Sequence, residues 1–286
     1  MNWTRRGLLA AGAIGAVAPR LAWADQGAPT LWVVREGQAK VFLFGDGGSL
    51  TDPWTSEPVE AAFRQSSVFW KETPDLGPGA LAKIVAKGFD RAHPLSTWLT
   101  AEQRDRVAAA AVSAGITYAF LEPMQPWFAA GALSSAYAAH QKPMSDPIPV
   151  LTAAAKAAGM PVRTEFPDTD SLIDWMSGFS PAAQVQYLMY TIGWNEAGRA
   201  KQEQRLKALA VGDFRLETQR VLHMRATYPD LYGPLEADRN RRWPGRFRTM
   251  LDGGGTTFVL VGADHLVGPD SVLIQLAAAG MRPRRP

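Results

Sequence analysis

The sequence predicts an α+β fold, with a small central sheet built from both ends of the chain and flanked and capped by helices. Three observations carry this expectation. β-prone runs cluster between residues 31 and 72. A nearly continuous apolar run, Thr256-Thr257-Phe258-Val259-Leu260-Val261, stands close to the other end and reads as a strand buried on both faces. Between them, residues 81–251 show mostly helical spacing, so the two ends must meet in one sheet.

Taken in order, Leu31-Trp32-Val33-Val34 and Lys40-Val41-Phe42-Leu43-Phe44 are two short strands around a Gly-containing turn, a hairpin pattern. Gly45-Asp46-Gly47-Gly48 follows at once, and its glycines allow a sharp turn at a strand end. Ser56 caps a helix whose Glu57 and Glu60 suit the positive N-terminal end. Val68-Phe69-Trp70-Lys71-Glu72 is a third strand, ended by Thr73-Pro74. Thr100 caps a helix over residues 101–113, and Pro126 opens one that runs to about residue 141. A loop with Pro143, Pro147 and Pro149 then leads to a helix over 150–158.

Ser180-Pro181 pairs a cap with a first-turn proline. Behind it Val185, Leu188, Met189 and Ile192 share one face of a long helix that Gly212 stops. Two shorter helices are expected, near 214–225 and 234–251. After the buried strand, Gly268-Pro269-Asp270 leads into a last helix over 271–279, and Met281-Arg282 is read as a final edge strand.

The first residues are read as a leader. Arg5-Arg6 precedes a weakly apolar stretch, then Arg20 and the small-residue site Ala22-Trp23-Ala24. A run of about 12 residues would rise only ~18 Å as a helix, against a ~30 Å hydrocarbon core. The paired arginines point to twin-arginine export, with cleavage after Ala24 and a periplasmic destination. Residues 25–286 are then one domain whose helical middle spans about 81–251.

The leader also carries the charge imbalance. The chain has 30 Lys+Arg and 27 Asp+Glu, and residues 1–24 hold three arginines and no acid, so the remainder has 27 of each. A neutral mature chain gives no electrostatic case for nucleic acid or a membrane surface as partner. There is no cysteine, which excludes disulfides, thiol catalysis and Cys-ligated zinc.

Polar residues just beyond strand ends draw attention, because the sheet fixes them while the loops expose them. Gly45–Gly48, Glu72 and Gly262-Ala263-Asp264-His265 occupy such places. Arg239-Asn240-Arg241-Arg242-Trp243 forms a basic run, extended by Arg246 and Arg248, that is read as a largely solvated helix face. Trp70, Trp98, Trp127 and Trp175 are read as core, and His93, His140 and His223 as surface residues.

These blocks together resemble the TraB/PrgY/GumN family, which includes the Tiki-type membrane metalloproteases. The carrying residues are Leu31-Trp32, the strand closing in Leu43-Phe44-Gly45, and Trp54-Thr55-Ser56 with Glu60-Ala61-Ala62. The strand ending in Glu72, the Arg239-Asn240 to Trp243 motif and Gly262-Ala263-Asp264-His265-Leu266-Val267-Gly268-Pro269-Asp270 complete the set. The last block is the most specific, and the resemblance spans about residues 31–281.

It implies a fold similar to the Tiki and erythromycin-esterase-like proteins. It also implies Glu72, Arg239, Asn240 and His265 as site residues. In the Tiki-type proteases two Gly-x-x-His motifs and a Glu are thought to hold a divalent metal, which would acidify a water and polarise a carbonyl. Here the first motif's histidine position is Gly48, which offers no ligand. Glu72 and His265 remain, with Asp46 as the only replacement in the same loop, while Asp264 is expected to point elsewhere.

Two readings stand. In one, the metal-hydrolase site is degraded and the cleft binds a peptide, another small ligand or a partner, with at most weak binding of Zn²⁺, Mn²⁺ or Co²⁺. In the other, an altered ligand set keeps metal-dependent hydrolysis, such as peptidase activity.

Overall fold

A computed structural model describes residues 30–47, 56–77, 79–141 and 146–286. The leader, Gly48 and the Trp54-Thr55 pair lie outside the described residues.

The hairpin forms as expected: β1 (Leu31–Glu36) pairs antiparallel with β2 (Ala39–Asp46), Glu36 opposite Ala39. Next come α1 (Glu57–Arg64), β3 (Val68–Lys71), α2 (Ala80–Gly88), α3 (Ala101–Ser113), α4 (Tyr118–Leu121), α5 (Pro126–Ala139) and α6 (Pro147–Ala157). A strand that the sequence did not announce, β4 (Val162–Thr164), is followed by α7 (Thr169–Ser177), α8 (Pro181–Ala210) and α9 (Arg215–Thr227). The chain continues through α10 (Pro229–Tyr232), a wide π-helical turn over Gly233–Ala237, α11 (Asp238–Asn240) and α12 (Trp243–Asp252). It ends with β5 (Thr256–Gly262), a 3₁₀ turn over Ala263–Leu266 and α13 (Val272–Ala278).

Several ends follow their local chemistry. The Thr100 hydroxyl accepts from the Gln103 N–H, and the Gln103 side chain returns the bond, a complete capping box. Asp168, Ser180 and Ser271 each accept from a backbone N–H in the first turn of their helix. α6 starts three residues before the expected position, because Asp146 caps it. Pro147 and Pro149 then sit in its first turn, where missing N–H donors cost nothing. The stretch 234–251 is three pieces rather than one helix. α8 is bent at Gly198, whose φ of 75° is open to glycine and strained for other residues.

The sheet order is β1-β2-β5-β3-β4. β2, β5, β3 and β4 run parallel, so both ends of the chain do meet in one sheet. β5 lies at its centre and is buried on both faces. Val259 and Val261 pack with Trp32, Val41, Trp243, Phe247 and Leu276 on one side. Phe258 and Leu260 pack with Phe42, Phe63, Phe69 and Leu151 on the other. Two further clusters bury α3 and α5 against α8, and α8 against α9 and α10. The segment after α13 makes one antiparallel bridge, Val33 to Arg284, where the sequence suggested a strand at 281–282. Among the described residues, no helix is long and apolar enough to cross a membrane.

Candidate functional site

Parallel pairing brings the carboxyl ends of β2, β5, β3 and β4 to one rim, the usual place for a site in such sheets. Asp46 closes β2 opposite Gly262. Glu72 is the first residue past β3, and Glu165 the first past β4. His265 lies in the turn that follows β5.

Glu72 Oε1 accepts the Gly262 N–H, and its Oε2 lies 2.5 Å from Arg239 Nη2 and 3.4 Å from His265 Nε2. A Cβ on Gly262 would collide with the Asp264 carboxylate, which Arg220 holds in place, so this glycine has a steric reason in the motif. On its other edge, His265 Nδ1 lies 2.8 Å from Asn240 Oδ1 and 2.9 Å from Glu236 Oε2. The Asn240 contact has hydrogen-bond geometry, whereas the Glu236 contact is an ion-pair approach without it. His265 is 3 % exposed and Glu236 2 %, so neither is solvated by bulk water.

Arg239 forks between two carboxylates. Its Nη2 donates to Glu72 Oε2 and, at 2.6 Å, to Glu165 Oε2, which also accepts from Nε at 3.1 Å. The guanidinium lies over Trp175 and Phe166. Arg246 closes the group with an ion pair to Glu165 at 3.2 Å. The basic run is therefore not a uniform solvated face: Arg239 and Arg246 turn inward, while Arg241 and Arg248 pair with Asp238 and Glu36 at the surface.

Asp264 does not turn away. Its Oδ2 accepts from Arg220 at 2.7 Å, and its Oδ1 accepts the His265 backbone N–H at 3.2 Å. Arg220 also binds Glu217 and the Tyr190 hydroxyl. Arg205 pairs with the same Glu217 at 2.5 Å and donates to the carbonyl of Gly47, in the loop that follows β2.

Protonation follows from these contacts. Burial alone would raise the Glu72 carboxyl, but Arg239 and His265 hold it well below the usual range. Burial alone would lower the His265 imidazole, but Glu236 and Glu72 hold it well above its ordinary value. Burial pushes Glu236 up, and Arg220 and His265 hold Asp264 down against its own burial. Burial lifts the Tyr190 phenol to about 12. The result is a network of opposed charges, Glu72, Glu165, Glu217 and Asp264 against Arg205, Arg220, Arg239 and Arg246, with Glu236 on His265. Buried charges persist where they are paired in this way.

The ligand set expected from the sequence was Glu72, His265 and Asp46. Among the described residues, the one group of three ligand-type side chains with atoms within 4.8 Å of one another is Glu236, Asp264 and His265, which includes neither Glu72 nor Asp46. Each of its members already has a compensating partner: His265 for Glu236, Arg220 for Asp264. Glu72 is likewise taken by Arg239 and the Gly262 N–H. A dication placed here would have to displace an arginine or the imidazole proton, so the donor set among the described residues does not fit a resident metal.

Sequence reasoning missed Glu236 and Glu165. Glu236, Arg239 and Asn240 stand at i, i+3 and i+4, a shared-face spacing legible in the sequence. Glu165 follows a strand of only three residues, too short to read from periodicity. The expected surface histidines His93, His140 and His223 are all exposed. Of the four tryptophans read as core, Trp127 is buried and Trp70, Trp98 and Trp175 are partly buried.

Beside the cluster lies a cavity of about 660 Å³ between α8 and α9. Its lining includes Arg205, Arg220, Tyr190, Trp194, His223 and Tyr228. The Trp194 ring is flanked by the Arg205 and Arg220 guanidiniums at 5.0 and 5.6 Å. Arg205 and Arg220 thus belong both to this cavity and to the charge cluster around His265.

No curated protein and no solved structure matches the chain. The TraB/PrgY/gumN family matches residues 30–285, nearly the whole sequence, with the strand ends, the Arg239-Asn240 pair and His265 all inside that span. By that match the chain belongs to the TraB/PrgY/gumN family.

Proposed function

We propose that this is an exported, periplasmic member of the family in which a network of opposed charges replaces a hydrolytic metal site, and that it binds a peptide or other small ligand in the adjoining cavity. The observation that carries the reading is the state of Glu72. Its two oxygens are held by the Gly262 N–H and by Arg239, and the sequence places glycine at position 48 where the family motif has histidine. Export rests on Arg5-Arg6 and the Ala22-Trp23-Ala24 site.

The cavity supports ligand binding in size and chemistry. Pockets of a few hundred Å³ lined by aromatic groups and a few placed polar ones suit small ligands. Here Trp194, Tyr190 and Tyr228 supply area, while Arg205 and Arg220 are held rigidly by Glu217 and Asp264. A ligand there would touch groups that in turn orient the His265 turn.

The test is elemental analysis of the purified mature protein, followed by calorimetric titration with Zn²⁺, Mn²⁺ and Co²⁺. The expected result is metal well below one equivalent and weak binding. One equivalent of tightly bound metal that depends on Asp46 would overturn this reading in favour of the altered hydrolase. One contact speaks for that second reading: Glu72 Oε2 and His265 Nε2 converge to 3.4 Å. For the cavity, Trp194 fluorescence should respond to a mixed peptide digest, and Trp194→Phe should remove the response.

A further inference from the structure

A second concave surface lies away from the charge cluster, where the C-terminal segment docks on the edge of the sheet. Arg284 exchanges two backbone hydrogen bonds with Val33, at 2.7 and 3.0 Å. This covers the exposed edge of β1 at that point. The groove between this segment, the end of β1 and α12 has a volume of about 420 Å³.

Its charge is one-sided. Arg35, Arg248, Arg282, Arg284 and Arg285 line it, against one carboxylate side chain, Glu36. Glu36 pairs with Arg248 at 2.6 Å. Arg285 lies over the Trp32 indole, 4.1 Å from the ring centroid, and donates to the Leu31 carbonyl at 3.2 Å, so its guanidinium is held in place. Among the described residues, no carboxylate lies within ion-pair distance of Arg35, Arg282 or Arg284, and all three are exposed. Arg284 stands opposite Val33 in the antiparallel bridge, with Arg282 two residues before it. Residues 25–286 carry equal numbers of acidic and basic side chains. The groove is therefore a local concentration of positive charge and not a sample of the whole surface.

We infer that this groove is a binding site for a compact phosphorylated ligand, one that presents two or more phosphate groups. Guanidinium forks match phosphate oxygens in pairs, and a doubly charged group offers several acceptors to several arginines at once. Arg285 over Trp32 and Arg248 on Glu36 are held in place on the Trp32 face of β1, and Arg35, Arg282 and Arg284 supply unpaired guanidiniums beside them. The small volume favours a phosphorylated small molecule or lipid head group over a long polymer. The site is separate from the cavity between α8 and α9, so it stands whether or not that cavity binds a ligand.

The test is calorimetric titration of the mature protein with inorganic pyrophosphate, at low and at physiological salt. One-to-one binding that weakens with salt is expected. The double variant Arg282→Ala/Arg284→Ala should weaken it by about tenfold or more, since charge-assisted hydrogen bonds are lost. Its backbone bonds to Val33 remain, and an unchanged melting temperature checks the fold. The control Arg91→Ala/Arg104→Ala removes the same charge from exposed positions elsewhere and should leave the affinity within about twofold. Sedimentation with vesicles containing cardiolipin, whose head group carries two phosphates, separates the two sources. Vesicle binding lost in the groove variant assigns a lipid head group, and pyrophosphate binding alone assigns a free ligand. No pyrophosphate or vesicle binding, or equal weakening by the control pair, overturns the site.

Discussion

Replacing Arg239 with Met removes the link between the two carboxylates that end β3 and β4. The Arg239 side chain is 6 % exposed, Glu165 1 % and Glu72 18 %, so all three charges sit largely outside bulk solvent. Losing one partner of a buried pair costs about 3–5 kcal/mol, because the other charge stays behind uncompensated. The cost should not double. Glu165 keeps Arg246 at 3.2 Å, and Glu72 keeps the Gly262 N–H and His265. For a domain of this size about 1 kcal/mol moves the melting temperature by 2–4 °C, so a fall of roughly 6–20 °C is expected.

The acid limb gives a second readout. Glu72 is held below its ordinary value of 4.5, so its stabilisation is present above that pH and lost as the pH falls through the lower folded value. Without Arg239 the folded value rises, and acid unfolding should begin at higher pH. Urea denaturation followed by circular dichroism between pH 3 and 7 (roughly the carboxylate range and above) measures both effects. The double variant Arg239→Met/Glu72→Gln should recover part of the loss, since the stranded charge is gone. A loss below about 1 kcal/mol with an unmoved acid limb would show that these ion pairs are not what holds the rim together.

Three further outcomes are expected. His265, held above its ordinary value by Glu236 and Glu72, should be protonated at neutral pH. Its contribution to stability is full below about 6.5 and lost as the pH rises through the higher folded value. Glu236→Gln should bring that loss to lower pH, and a neutral imidazole at pH 7 in wild type by nitrogen NMR would contradict the charge assignment. Gly48→His should raise affinity for Zn²⁺ in calorimetry while Glu72 and His265 are intact, and the gain should vanish with His265→Ala. Lys-Lys in place of Arg5-Arg6 should block export, and normal periplasmic accumulation of that variant by immunoblot would rule out the twin-arginine route.

The sequence by itself determined the elements whose signals are local. The hairpin of β1 and β2, the capped start of α3, the Ser180-Pro181 start of α8 and the buried strand β5 are each written in patterning over a few residues. It also picked Glu72, Arg239, Asn240 and His265, through strand ends and family motifs. The structure links these four in one chain of contacts, Arg239 to Glu72, Glu72 to His265 and His265 to Asn240.

Only the tertiary structure decided what these residues do together. Parallel pairing of β3 with β4 and β5 joins segments about 90 to 190 positions apart. No local pattern encodes that Glu165 arrives beside Glu72 or that Arg239 forks between them. The wide turn over Gly233–Ala237 places Glu236 on Nδ1 of His265, and the packing of α9 against the turn after β5 places Arg220 on Asp264. The charge state of the cluster is a sum over such long-range neighbours. That is why Glu72 and His265, read from the sequence as ligands, stand in three dimensions in a network of ion pairs with Arg239 and Glu236.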